Sequence, residues 1–523
     1  MPVVQAGTLN TTALVVPDLY VQVVPPQNLV LNGVPTNVIG IVGSASWGPV
    51  NQPVVVGTMA DFSRSFGPIN ARRTDMGTHV ATAVQQGAQA FRCVRVSDGT
   101  DLAASNAIAL GARDFGVIFA ARYSGVVGNQ VSVSLTPGSA VGTWRLTIGL
   151  LGQVAESFDN LPAPTPQALW QAIGAAVNGG AGALRGPSQL VIVTVGMSTQ
   201  APSVVMGLPL IGGTDGATGV TATMLIGRDG VARQGMYALR GQGCSLLVLA
   251  DADDSTTWTT QAGFAVQEGL YAVLTGASGQ AIGDAVALKA AAGLDSYGAK
   301  LMFGDWVYWA DPVIATVRLV SPQGFVAGRL ANLSPEQSSL NKPLYGVVGT
   351  QRAGLPGSGQ ASGYSSAELA LLLGAGLDVI SNPQPGGSFW GVRGGHNSSS
   401  QQAVSGDNYT RLTNYLAATL SAGMGQYVGQ VITAGLFRRI RSTQLSYLQA
   451  LLGQGILGST DQSLPFSVIC DLSNNPQSRT SLGYVQSDAQ VQYQAINEKF
   501  IVNLEGGQTV QVTRQTLPSG QIN

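Results

Sequence analysis

Charged side chains are scarce in this sequence. Asp, Glu, Lys and Arg make up 10% of the 523 residues, against roughly a quarter in an average soluble protein. Lysine is confined to Lys289, Lys300, Lys342 and Lys499. The formal net charge is -1, and with no block of Lys or Arg the chain offers no field to hold a polyanion, so no nucleic-acid partner is expected. Three cysteines, Cys93, Cys244 and Cys470, lie far apart in apolar runs, which argues against a disulfide framework or a zinc site and for core filling. No apolar run reaches the roughly 18 residues of a membrane span, and Met1-Pro2-Val3-Val4-Gln5 lacks the basic and apolar regions of a secretory signal. The expectation is a chain that folds in a reducing cytoplasm and does not insert into membranes.

Parts for chemistry are equally sparse. There is no G-x-S-x-G elbow, no G-x-x-x-x-G-K-[ST] loop and no H-E-x-x-H pair. Only His79 and His396 are available as imidazole bases; the first is expected on a surface or half-buried helix face, the second in a Gly/Asn/Ser loop. The sharpest enzyme-like feature is Asp251-Ala252-Asp253-Asp254, at the end of an apolar strand where α/β enzymes place metal ligands. A metal-dependent hydrolase using Asp251, Asp253 and Asp254 is the enzymatic alternative. The simpler reading has these carboxylates capping the next helix near its positive end and staying solvated. Gly212-Gly213 lacks a neighbouring basic residue and reads as a turn, not a phosphate cradle. No catalytic residue, metal or cofactor is expected.

Apolar residues, by contrast, reach 45% and glycine numbers 69. A chain of this length divides into roughly two to four domains, and a weakly charged, Gly-rich surface suits a subunit covered by neighbours better than a free monomer. Residues 1–30 alternate apolar runs with Pro17 and Pro25-Pro26, an extended arm carrying one strand over Leu19 to Val24. From Val38 to Val42, through helices opened by Thr58 and Asp75, to Phe91 to Val96, the order strand, helix, strand implies a βαβ unit. Between about 101 and 213 period-two alternation (Val131, Val133, Leu135; Leu146, Ile148) marks a β-rich insert with one helix near 165–177. The α/β texture resumes over 214–395, with strands at Ser245 to Ala250 and Lys300 to Val307 and a capping box at Ser365 and Glu368. Residues 396–523 read as α+β: helices at about 409–420 and 437–452, then strands at 466–470, 481–495 and 500–512. The fold class expected is therefore a multidomain α/β and α+β chain: an arm (1–30), a discontinuous central domain (31–100 and 214–395), a β-rich insert (101–213) and a C-terminal domain with its own arm (396–523).

Several segments, colinear over nearly the whole chain, resemble the contractile bacteriophage tail sheath family. Pro17-Asp18-Leu19-Tyr20-Val21 resembles its opening Pro-Gly-Val-Tyr-Val, and Thr36 to Pro49 its first strand and Gly-Pro turn. Ala121 to Asn129 resembles the A-x-x-x-G-x-x-G-N lead-in to its insert, and Leu210 to Gly216 the way out. Ser321 to Gly328, Asn474-Asn475-Pro476, Gly483-Tyr484-Val485 and Glu498 to Ile501 resemble later turns and closing strands. At Trp390-Gly391-Val392-Arg393 the chain departs from the family's Trp-Gly-x-Arg-Thr.

The resemblance implies a structural subunit that stacks with itself in six-fold rings around a tail tube protein, with baseplate and tail terminator proteins as further partners. It implies assembly in the bacterial cytoplasm into a virion tail, or into a headless bacteriocin or related injection machine, and contraction from a metastable extended state. It also implies strand exchange between subunits, for which Leu19, Tyr20, Val21 and Val23 of the arm and Val491, Tyr493, Phe500, Val502 and Leu504 near the C-terminus are the expected residues. Arg438, Arg439 and Arg441, clustered on one helix, are the candidates for tube attachment. A secreted surface-layer or adhesin role is disfavoured by the missing signal.

Overall fold

The computed structural model describes residues 31–111, 113–182, 185–357 and 363–506, together with the backbone of two short strands, Val3–Val4 and Val21–Gln22. At its centre is a seven-stranded sheet ordered Leu377–Asp378, Ala299–Met302, Tyr271–Thr275, Leu246–Leu249, Val38–Gly43, Ala90–Arg95, Pro53–Val56. All neighbours are parallel except the edge strand Pro53–Val56. Runs such as Leu246-Leu247-Val248-Leu249 are apolar at every position because a parallel sheet is covered on both faces. Alternate residues feed two cores. Ile39, Ile41, Leu246, Val248 and Val273 pack under helices Met76–Gln85 and Gln323–Ala331. Val42, Leu247, Leu249, Leu274 and Leu301 face helix Trp258–Glu268.

The two helices of the first face touch backbone to backbone. A Cβ on Gly328 would lie 2.7 Å from the Ala83 carbonyl oxygen, so glycine is required for this approach. Helix Met59–Phe66 starts from the capping box of Thr58 and Asp61, and helix Ser366–Gly374 from that of Ser365 and Glu368.

Between strands Ala90–Arg95 and Leu246–Leu249 the chain leaves the central sheet and builds two antiparallel sheets, which makes the α/β unit discontinuous in sequence. One has the order Glu156–Pro162, Thr143–Gly149, Ser132–Pro137, Val205–Pro209; the other Val191–Val195, Asp114–Ala121, Ser105–Gly111. Val131, Val133, Leu135, Leu146, Ile148 and Phe119 face inward, and helix Pro166–Gly179, capped by Thr165, adds Trp170 and Ile173. Arg95, wholly buried, pins this excursion at both ends: its Nη1 donates to the carbonyls of Gly48 (2.9 Å) and Ser124 (2.7 Å), and its Nη2 to that of Asp215 (3.1 Å).

Two sequence expectations change here. The stretch Lys300 to Val307 is not one strand: Ala299–Met302 ends in the central sheet, and Val307–Asp311 begins a separate three-stranded antiparallel sheet with Thr316–Val320 and Val347–Thr350. Gly304 makes the break, packed against the Ala277 backbone, and buried Asp305 takes the N–H of Arg352. In the C-terminal part the helices form as Asp407–Met424 and Ala434–Gly453, but the long closing strands do not. Only Asp488–Val491 pairs, antiparallel with Phe466–Ile469. Residues 500–506 carry no strand: a strand needs a ladder partner, and this segment has none among the described residues; 507–512 lie outside the described residues.

Candidate functional site

The C-terminal sheet consists of two strands, so each has an outer edge with no ladder partner among the described residues. Val491 and Tyr493 are half-buried against the helical core, while Gln490, Gln492 and Gln494 are exposed. Beyond them Phe500, Ile501, Val502 and Leu504 are 82%, 80%, 69% and 90% exposed. Full burial of such side chains stabilises by about 1.5–3 kcal/mol each, so this short stretch holds on the order of 6–12 kcal/mol of unrealised apolar contact before any association cost. Contiguous exposure of this kind marks an interaction surface.

The arm residues are less informative. Val21 lies in the strand Val21–Gln22, which pairs in parallel with Val3–Val4 of the same chain. Leu19, Tyr20 and Val23 lie outside the described residues.

Arg438, Arg439 and Arg441 are exposed on helix Ala434–Gly453. Thr433 caps the helix through Leu436 N–H, and all three arginines lie beyond its first turn. Arg439 Nη2 donates to Gln430 Oε1 (2.8 Å), and none of the three forms an ion pair with a described residue.

The C-terminal helices are joined to the central sheet by a sealed ionic knot that the sequence reading missed. Lys300, with no exposed surface, donates from Nζ to Asp378 Oδ2 (2.6 Å), Asp407 Oδ1 (3.1 Å) and the His396 carbonyl (2.9 Å). Tyr271 Oη donates to Asp407 Oδ1 (2.6 Å), and Ser339 donates to Asp407 Oδ2. Asp378 Oδ1 accepts the N–H of Val379 (2.8 Å) and Gly394 (2.7 Å), and its Oδ2 that of Gly395 (2.8 Å). Burial pushes the Asp407 carboxyl up, but the Lys300 ammonium with the Ser339 and Tyr271 hydroxyls more than offsets it and holds the group below the usual range. Burial likewise opposes charge on Lys300, and Asp378 and Asp407 outweigh it, raising that ammonium. Arg411, one turn along the helix, donates to the carbonyls of Ser334 (2.9 Å) and Leu333 (2.7 Å), and burial pushes its guanidinium down to about 10.

The Asp251-Ala252-Asp253-Asp254 cluster divides among separate partners. Asp254 caps the short helix Ser255–Thr257 by accepting Thr256 N–H, and Asp253 pairs with Arg73 at 2.9 Å. Asp251 departs from the solvated reading: it is buried, 3.1 Å from His79 Nε2, and it accepts Thr74 N–H at 3.0 Å. His79 is correspondingly fully buried, not on a surface. Among the described residues no group of three or more His, Cys, Asp or Glu is arranged to hold a metal ion. No described helix is long and apolar enough to cross a membrane.

No family model and no curated protein matches the sequence. Solved structures do match. The sheath tail protein of Listeria innocua superposes with a TM-score of 0.59 at 15% identity, over 84% of this chain and 89% of that one. The sheath tail protein of Desulfitobacterium hafniense gives 0.57 at 15% identity, over 86% and 92%. The sheath of an extracellular contractile injection system, PVC, in its contracted state gives 0.54 at 13% identity, over 95% and 98%. These matches span nearly all of each partner, and the chain therefore has the fold of tail and injection-system sheath proteins.

Proposed function

We propose that the chain is the sheath subunit of a contractile tail or injection particle, a non-catalytic protein that polymerises around a tube and contracts from a metastable extended state to drive the tube through a host envelope. The observation that carries this reading is the end-to-end match with sheath structures at TM-scores of 0.54 to 0.59, joined to the exposed apolar tail beside an unpaired sheet edge. In this reading copies stack in six-fold rings. Phe500, Val502 and Leu504, with the arm residues Leu19, Tyr20, Val21 and Val23, add strands to the edges of a neighbour's sheet at Val491 and Tyr493. Arg438, Arg439 and Arg441 face the tube, and baseplate and terminator proteins cap the ends. Baseplate association is supported by the likeness to a chain of the anti-feeding prophage baseplate, TM-score 0.52 at 12% identity over 95% of this chain.

A headless injection particle is a second reading beside a phage virion tail, favoured by the larger share of the chain that the PVC sheath covers, 95% against 84% for the Listeria protein. Assembly in the bacterial cytoplasm accompanies either. Electron microscopy of the purified chain at high concentration tests the proposal. Rings or hollow cylinders are expected, and particles that stay monomeric across salt conditions with both termini intact overturn it.

A further inference from the structure

A cleft of about 660 Å³ lies between helix Asp407–Met424 and the starts of strands Leu246–Leu249 and Tyr271–Thr275. Small-molecule sites have roughly this size, about 300–1,000 Å³. One wall is a helix stripe, Arg411, Asn414, Tyr415, Ala418, Ser421 and Ala422, whose spacings of three and four put it on a single face. The opposite wall is nearly bare. Gly241, Gly243 and Gly269 border it, and a Cβ on any of them would meet nothing within 4 Å. Buried Leu239 and Leu270 make the cleft apolar, and residues 34–36, held to the helix by Val34 N–H on Thr419 Oγ1 (3.2 Å), complete it.

The charge in this cleft is one-sided. Arg411 is 5% exposed, and beyond the bonds from its Nη1 and Nη2 to the Ser334 and Leu333 carbonyls its N–H groups have no partner among the described residues. Nor does it form an ion pair with one. Asp407 is engaged by Lys300, Tyr271 and Ser339, and Glu336 by the Ser334 hydroxyl (2.6 Å). Glu268, which also lines the cleft, is paired with Arg240 at 2.8 Å. An apolar cleft is thus left with a guanidinium short of a counter-charge, and burial, only partly offset by Asp407 and Glu336, has pushed it down to about 10. We propose that the cleft binds a small amphipathic monocarboxylate, its head group on Arg411 and its apolar chain along Leu239, Leu270, Ala418 and Ala422. A guanidinium presents a planar fork that matches a carboxylate. A lone cation suits a monoanion better than a phosphate dianion, and walls of alanine and glycine leave room for a methylene chain. The site stands whether or not the chain assembles.

Isothermal titration calorimetry of the unassembled full chain with decanoate, at neutral pH and below its micellar range, tests the site. Saturable binding of a single decanoate per chain is expected, with decanol about tenfold weaker because it loses the hydrogen bond between two charged groups. Arg411→Gln also cuts the bonds to Ser334 and Leu333, so the cleft is blocked instead by Ala418→Trp, at an exposed helix position. This variant is expected to keep the native circular dichroism spectrum and to lose decanoate binding. Hydrogen–deuterium exchange locates the ligand: decanoate-dependent protection is expected in peptides covering 34–36 and 411–422. Absence of saturable binding, decanol as tight as decanoate, native-like binding by Ala418→Trp, or protection confined to the exposed segment 500–504 each overturns the proposal.

Discussion

Replacing Lys300 with methionine keeps the length of the side chain and removes its charge, leaving Asp378 and Asp407 buried without their shared cation. Breaking a buried pair in this way costs about 3–5 kcal/mol. Asp378 keeps backbone donors from Val379, Gly394 and Gly395, and Asp407 keeps Tyr271 and Ser339, which places the expected loss near the lower figure, about 3 kcal/mol. Because the urea dependence grows with the surface exposed on unfolding and in a chain of 523 residues exceeds the roughly 1–3 kcal/mol per molar of small proteins, the unfolding transition followed by circular dichroism moves down by somewhat less than about 1 M. The pH dependence carries a second signature. In the native protein the Asp407 carboxyl is held low and the Lys300 ammonium is held high. The knot's stabilisation is therefore present from about pH 4 to about pH 10. It is lost as pH falls through the depressed carboxyl or rises through the elevated ammonium. In Lys300→Met two carboxylates face each other without a cation, one takes up a proton as pH falls, and the deficit against native shrinks below about pH 5. Lys300→Met/Asp407→Asn, which removes one of the two stranded charges, is expected to recover part of the loss. A transition unchanged within about 1 kcal/mol, or a deficit that grows on acidification, refutes the reasoning.

Burial raises the Asp75 carboxyl to about 6 against the pull of Arg72 and Thr78, so native stability declines as pH rises from about 4 to 6. Asp75→Asn keeps a capping oxygen for Thr78 N–H and is expected to remove that slope and to add up to about 2 kcal/mol at pH 7; a persisting slope in thermal melts counts against it. Deleting residues 1 to 26 removes Val3–Val4 and Val21–Gln22 together and is expected to leave the remainder folded while abolishing the linked lattice. Circular dichroism and sedimentation check this, and either unfolded monomer or normal assembly contradicts it. Charge reversal at Arg438, Arg439 and Arg441 is expected to weaken tube binding and flatten its salt dependence while stability stays within about 0.5 kcal/mol; unchanged binding rejects tube attachment by this helix.

Elements whose signals are local were legible in the sequence. The strand Leu246–Leu249, the Thr58 and Ser365 capping boxes and the alternating strands of the insert depend on residues within one turn or one pleat, and each formed where it was expected. Contacts that depend on distant residues were not legible. Lys300, Asp378 and Asp407 are separated by 78 and 107 positions from the lysine, and nothing near Lys300 announces its partners. His79 reads as a surface or half-buried residue because Asp251, its buried hydrogen-bond partner, is 172 positions away. The strands expected over 481–495 and 500–512 have the right composition, but a strand is a property of a pair, and among the described residues of these two stretches only Asp488–Val491 pairs. Of the expected exchange residues, Val491 ends that pairing, Tyr493 follows it, and Phe500, Val502 and Leu504 stand exposed beyond it.

The grip of Arg95 on Ser124 and Asp215 has a practical consequence. Because the two crossings between insert and central sheet meet at one guanidinium and are bridged again at Leu102 and Thr214, the excursion is closed at its base whatever its length, and lengthening an already closed loop costs little chain entropy. The insert is thus a modular socket. On this argument its contents are open to trimming, enlargement or exchange for a foreign domain with adjacent ends while the seven-stranded sheet beneath keeps its register, and the turn at 138–142, where Val141 stands fully in solvent, is the natural point at which to insert a foreign segment.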